Sequence, residues 1–237
     1  PASFYREIGF GLRRDPYITV EPPVRHGTAP SHSSPWSWPE LAPSWTWPDS
    51  VGAAVKVVVY SDADEVELQL DGQSLGRQAA GQAARYQAAF DITYAPGELV
   101  AVAFTRGVES GRATVRSVTG QTRLDVSCDR TVIRADDTDL AFVAIHLVDA
   151  HGTVQPTDDQ EVKVSVEGPA VLQGMGSADP RTQERFDGAS CRLFQGRALA
   201  VVRPTGVGSV RVTVTTAAGQ ADSCVIVAEA PVVGSAS

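Results

Sequence analysis

After Pro48 the chain runs in short apolar-rich segments broken by turn signals, and this pattern predicts strands. Residues 64–70 (DEVELQL) put Val66, Leu68 and Leu70 on one face and Glu65, Glu67 and Gln69 on the other. Asp71-Gly72 follows, a pair that tolerates the positive φ angles of a tight hairpin turn. Further strands are expected at 55–60, 86–92, 98–105 and 112–118, separated by Pro96-Gly97 and Glu109-Ser110-Gly111. That is enough for one small β-sandwich. A second series covers 123–128, 131–134, 140–148, 161–166, 170–173, 191–194, 197–203, 209–215 and 222–228. Residues 174–190 (GMGSADPRTQERFDGAS) form the one long irregular loop, the kind of segment where binding is usually sited.

Two stretches break the pattern. Residues 3–14 place Phe4, Ile8 and Leu12 on one face of a helix, which Asp15-Pro16 ends. From Pro22 to Pro48 prolines recur every few residues, and the stretch holds all four tryptophans as two copies of one phrase, Trp36-Ser37-Trp38-Pro39 and Trp45-Thr46-Trp47-Pro48. Such proline density excludes a long helix or a central strand and favours a semi-rigid connector. The expected architecture is all-β: a helical stub (1–20), a Pro/Trp-rich connector (21–50), two immunoglobulin-like β-sandwiches (51–119 and 120–230) and a tail (231–237).

Composition narrows the function. The chain has 237 residues, 43% hydrophobic, with 20 Lys+Arg against 28 Asp+Glu and a net charge of −8. Only Lys56 and Lys163 are lysines, and the arginines are scattered. That balance argues against nucleic acid, whose phosphates attract clustered Lys and Arg. No apolar run approaches the roughly 20 residues of a membrane-spanning helix. The chain opens on Pro1 with no basic and apolar leader after it, which points to a processed or excised piece and leaves the compartment unassigned.

Trp36, Trp38, Trp45 and Trp47 are the candidate binding residues, since aromatic faces stack on sugar rings. The competing reading is favoured: the rings anchor the connector, with Trp45 and Trp47 packed between the first sandwich and the helix and Trp36 and Trp38 more exposed. Asp136-Asp137-Thr138-Asp139 and Asp62-Ala63-Asp64 offer oxygens, yet neither has the spacing and glycine of a calcium loop, and aspartates cap turns unaided. No His or Cys spacing suits a metal, so neither metal nor cofactor is expected. Cys128, Cys191 and Cys224 fall in apolar strands; a Cys128–Cys224 bridge is sterically conceivable, but free buried thiols are the expectation. No nucleophile elbow or phosphate loop is present.

Several phrases together resemble the region after the catalytic barrel in bacterial β-galactosidases of glycoside hydrolase family 2. They are SWTWPDSVGAAVKVVVYSDADEVELQLDGQSLGR (44–77), PGELVAVA (96–103), RADDTDLAFVAIHLVDA from Arg134, EGPAVLQGMGSADP (167–180) and FQGRA (194–198). Asp71 stands where the family usually has Asn, and Asp137-Thr138 where Gly is usual. The resemblance implies a non-catalytic region that packs against an upstream (β/α)₈ barrel of the same polypeptide and shapes its active-site rim or an oligomer interface. Residues 1–20 resemble the last barrel helix. The family's two catalytic glutamates lie on the barrel, and no position here matches either. A carbohydrate-binding module and an adhesin-type surface domain are the alternatives.

Overall fold

The computed structural model describes residues 2–23 and 41–231. It divides into two compact units, with the boundary between Ser117 and Val118. Each unit is a largely antiparallel β-sandwich, as the strand pattern predicts. No helix among the described residues is long and apolar enough to cross a membrane.

The first unit opens with helix α1 (Ala2–Gly9) and strand β1 (Tyr17–Val20). Strands β2 (Ala54–Tyr60), β3 (Glu65–Leu70), β4 (Gln73–Ala79), β5 (Gln87–Thr93), β6 (Glu98–Thr105) and β7 (Val108–Arg116) follow. They form two sheets, β1-β2-β5 and β4-β3-β6-β7. The 64–70 hairpin has the expected register, with Leu70 paired to Gln73 across Asp71 (φ 48°) and Gly72 (φ 79°). Val66 and Leu68 are fully buried, whereas Leu70, beside the turn, is only half-buried. A one-residue slip would instead bury Glu65 and Glu67 without partners.

Strand β2 serves two layers. Val55, Val57 and Val59 face the core between the sheets, while Val58 and Tyr60 face outward. Helix α1 covers that outer side: Ile8 is buried against Val58 and Tyr60, and the Tyr5 ring meets Tyr60 edge-on at 5.2 Å. Phe4 stacks on Tyr17 at 4.0 Å. A helix this short is marginal by itself and depends on such packing. Leu12 departs from the expected face and is largely exposed, as is Phe10. The helix stops at Gly9, and Gly11 takes a left-handed φ of 69° that reverses the chain before Leu12. Tyr17–Val20 also differs from its expected place in the stub, because it pairs with β2 from Tyr17↔Tyr60 to Val20↔Val57. Residues 17–20 and 41–50 therefore belong to the first sandwich.

The second unit holds β8 (Arg123–Cys128), β9 (Val132–Arg134), β10 (Ala141–Val148), β11 (Glu161–Glu167), β12 (Ala170–Gly176), β13 (Ser190–Arg192), β14 (Arg197–Pro204), β15 (Gly208–Thr216) and β16 (Ala221–Glu229). Sheet β12-β14-β10-β8 packs on sheet β13-β11-β15-β16-β9, in which β9 joins β16 in parallel. Between them lies one apolar cluster that includes Val143, Ile145, Leu147, Val212, Val214 and Ile226. FQGRA is a two-residue hairpin turn: Phe194 and Arg197 exchange both backbone hydrogen bonds, and Gln195 and Gly196 both have positive φ.

Candidate functional site

Trp45 sits inside the first sandwich, with no exposed surface. Its ring meets Tyr94 edge-on at 4.8 Å. The Trp45 carbonyl accepts hydrogen bonds from the Tyr94 hydroxyl (3.3 Å) and from the Ser117 hydroxyl. The Tyr94 oxygen in turn accepts the Trp47 N–H at 3.0 Å. Trp47 is half-buried against the same core. Neither ring lies under the helix, which occupies the opposite side of β2, so that part of the expectation is corrected. A ring closed off like Trp45 cannot stack on a sugar. Trp36 and Trp38 lie outside the described residues.

The long loop of the second sandwich, residues 177–189, borders a shallow recess of about 240 Å³ lined by Asp159, Ser177, Asp179, Thr182, Glu184, Arg192 and Leu193. The lining is polar, but its carboxylates are engaged. Asp159 accepts the Gln195 N–H at 3.2 Å, and Glu184 accepts the Arg192 N–H at 3.1 Å. Asp179 accepts the Arg181 N–H at 3.0 Å and its guanidinium at 3.1 Å, and these donors hold its pKa below the usual carboxylate range.

The same direction recurs elsewhere. The Ser74 hydroxyl lowers Glu67, the Thr138 hydroxyl lowers Asp136, the Arg134 N–H lowers Asp139 and the Arg185 guanidinium lowers Asp187. Burial pushes Asp149 upward, but the N–H groups of Thr119, Thr153 and His151 outweigh it, so it too lies low. Glycoside hydrolysis by paired carboxyl groups needs one kept protonated, with a raised pKa. Every carboxylate among the described residues with a resolved displacement is displaced the other way.

The acidic phrase 136–139 is a turn. Asp136 accepts the N–H groups of Thr138 and Asp139, and Asp139 accepts that of Arg134. Asp137 takes a φ of 61°, which Asp tolerates better than most residues and which explains why Gly is usual there in the resembling family. No group of three or more His, Cys, Asp or Glu among the described residues is arranged to hold a metal ion. His146 lies mid-strand and half-buried, its pKa lowered by burial and by Arg197.

Cys128 and Cys224 form a disulfide, contrary to the expectation of free thiols. Strand β8 lies at the edge of one sheet and faces β16 in the other, which brings the two Cα atoms to 6.5 Å. Cys191 is free and buried, its thiol pushed up to about 11 mainly by burial. The outward face of the four-stranded sheet carries a further feature that alternation alone did not flag. Phe142, Leu199 and Val171 are partly exposed there, and the Phe186 ring lies over Gly176, which pairs with Leu199. Together these residues form a partly exposed apolar patch.

Comparison with known proteins supplies the family. The glycoside hydrolase family 2 C-terminal domain 5 matches residues 124–225, and a domain of unknown function (DUF4982) matches residues 52–111. A solved glycosyl hydrolase family 2 member from Bacteroides cellulosilyticus is 33% identical with a TM-score of 0.87, over 97% of this chain and 30% of that one. These matches support a C-terminal fragment of glycoside hydrolase family 2. Beta-galactosidase BoGH2A of Bacteroides ovatus is 27% identical over 157 residues, which are 66% of this chain and 18% of that protein. A beta-galactosidase of Thermoanaerobacter pseudethanolicus is 28% identical over 152 residues, 56% of this chain and 20% of that protein. The matched stretch thus spans a fifth or less of these two curated relatives.

Proposed function

We propose that this region is the non-catalytic C-terminal β-sandwich part of a β-galactosidase-like glycoside hydrolase. It braces the upstream (β/α)₈ barrel of the same polypeptide and shapes its active-site rim or an oligomer interface. The observation that carries this reading is one of proportion. Nearly the whole chain aligns with under a third of a family 2 member, so its counterpart there is one part of a larger protein. Two features add support. The displaced carboxylates are all held ionised, so none of them offers the protonated acid that the chemistry requires. The apolar patch around Phe142 and Leu199 is surface that a bracing contact would cover.

Incubating the purified chain with a chromogenic β-galactoside tests the proposal. No turnover above buffer is expected; turnover that persists through further purification would overturn it. Titrating the same sample with galactosides while following tryptophan fluorescence tests the binding-module alternative. Saturable quenching would favour that alternative over bracing.

A further inference from the structure

We infer that the second sandwich is completed by oxidation of Cys128 and Cys224, and that the chain is therefore built to mature in an oxidising compartment. The two residues stand 96 positions apart on the first and last long strands of the unit, at the seam where the two sheets meet. Strand β8 is an edge strand with a single neighbour in its sheet, β10. Its remaining ties cross to the β16 end of the other sheet at three heights. The Gln220 side-chain amide donates to the Thr122 carbonyl (2.9 Å), Asp222 accepts the Val126 N–H (2.8 Å), and the disulfide completes the row. Covalent closure of so long a loop removes much of the freedom the unfolded chain would otherwise regain. Disulfides placed to carry structure persist where thiols are not kept reduced.

The third cysteine supports the assignment by staying out of it. Cys128 and Cys224 are only partly buried and open to an exchange partner, whereas Cys191 lies in the core on β13. Its raised pKa leaves almost no thiolate at neutral pH, and the thiolate is the species that exchanges. Once the sandwich has formed, only one pairing of the three is open. The step balances with a disulfide of the exchange class, RSSR, as oxidant. One thiolate of the pair attacks RSSR and releases RSH on protonation. The second thiolate then attacks the mixed disulfide, forming the Cys128–Cys224 bond and releasing a second RSH.

The test uses the full chain, produced once in a reducing cytosol and once exported to an oxidising periplasm of the same bacterial host. Thiols are trapped with acid, alkylated in denaturant before and after reduction, and located by peptide mass spectrometry. The exported chain should carry one alkylated cysteine, Cys191, before reduction and three after it, with Cys128 and Cys224 in one cross-linked peptide. Reduction should lower the melting temperature of the second sandwich by roughly 10 °C or more. The double variant Cys128→Ala/Cys224→Ala should melt like the reduced protein, which separates loss of the bridge from damage by the reductant. Three alkylatable thiols in the exported chain, or a disulfide involving Cys191, would refute the pairing. A correctly bridged chain whose melting is indifferent to reduction would refute the claim that the fold is built for an oxidising compartment.

Discussion

Replacing Trp45 by Ala separates a tryptophan that holds the fold from one that binds sugar. A tryptophan side chain can bury up to about 250 Å², worth about 6 kcal/mol at 25 cal/mol per Å². Truncation recovers part of this through relaxation, and aromatic-to-alanine changes in cores cost about 3–5 kcal/mol. The structure argues for the lower half of that range, because the indole N–H of Trp45 is buried without a partner, and removing an unsatisfied donor returns some free energy. The Trp45 carbonyl keeps its Tyr94 and Ser117 donors in any variant, so the loss is packing alone. For a sandwich of this size, about 3–4 kcal/mol lowers the melting temperature by roughly 12–16 °C. Trp45→Phe keeps most of the packing and removes the orphan N–H, so it should cost under about 1.5 kcal/mol. Scanning calorimetry on wild type and both variants measures this directly. If Trp45→Ala moved the first sandwich's melting by less than about 3 °C, Trp45 would not be a core residue in solution. If the same variant also lost a galactoside-dependent fluorescence signal, the ring would belong to a binding platform.

Asp149 is fully buried and anchors the turn after β10 by accepting the N–H groups of Thr119 (3.0 Å), His151 (2.9 Å) and Thr153 (2.9 Å). Asp149→Ala should cost about 3–5 kcal/mol in urea unfolding, since bonds to a charged acceptor contribute about 1.5–3 kcal/mol each and are not additive. Its pKa is depressed in the fold, so its contribution is complete above the unfolded carboxylate value and fades as pH falls through the lower folded value. Asp149→Asn should therefore flatten the acid side of the stability profile below about pH 4, and a profile parallel to wild type would contradict the assignment. Gly196 has a φ of 71°, and a Cβ there would stand 2.1 Å from the Gln155 carbonyl oxygen, whereas Gly219 (φ 84°) has open space around it. Gly196→Ala should cost roughly 3 kcal/mol or more and Gly219→Ala only about 1–2, as seen in thermal unfolding; equal losses would mean that the contact with Gln155 is unimportant.

The β-strands with a buried face were the legible part of the fold. Period-two alternation is produced by burying one side of a sheet, so β3, β5 and β11 stand out in the sequence. Strand β4 does not, because every one of its residues is exposed at a sheet edge and nothing forces a pattern on them. Strand β1 is four residues long and follows a helix, and its membership of the first sandwich rests wholly on its partner β2, 37 residues further on at the nearest pairing. Helix α1 is visible by its spacing, yet the spacing carries no information about where Gly11 turns the chain, so Leu12 never reaches the face its spacing predicts.

The candidate sites were harder to read, and for a different reason: chemistry is local in sequence, whereas burial and pairing are not. Both Trp-x-Trp-Pro phrases offer the same residues at the same spacing, and period two puts Trp45 and Trp47 on one side. What separates the two rings is Tyr94, 49 residues beyond Trp45, which closes over one ring and uses its hydroxyl to hold the backbone of the other. The cysteines make the same point. Cys128 and Cys224 each sit in an apolar strand, where a free thiol is the ordinary outcome. Their pairing follows only from sheet order, because β8 must be an edge strand and must face β16 for the Cα atoms to approach within bridging distance. Sheet order is set by how the whole set of apolar faces closes around the core, and no window of residues contains it. A polar or reactive residue in a sandwich therefore shows its chemistry in the sequence and its role only after closure.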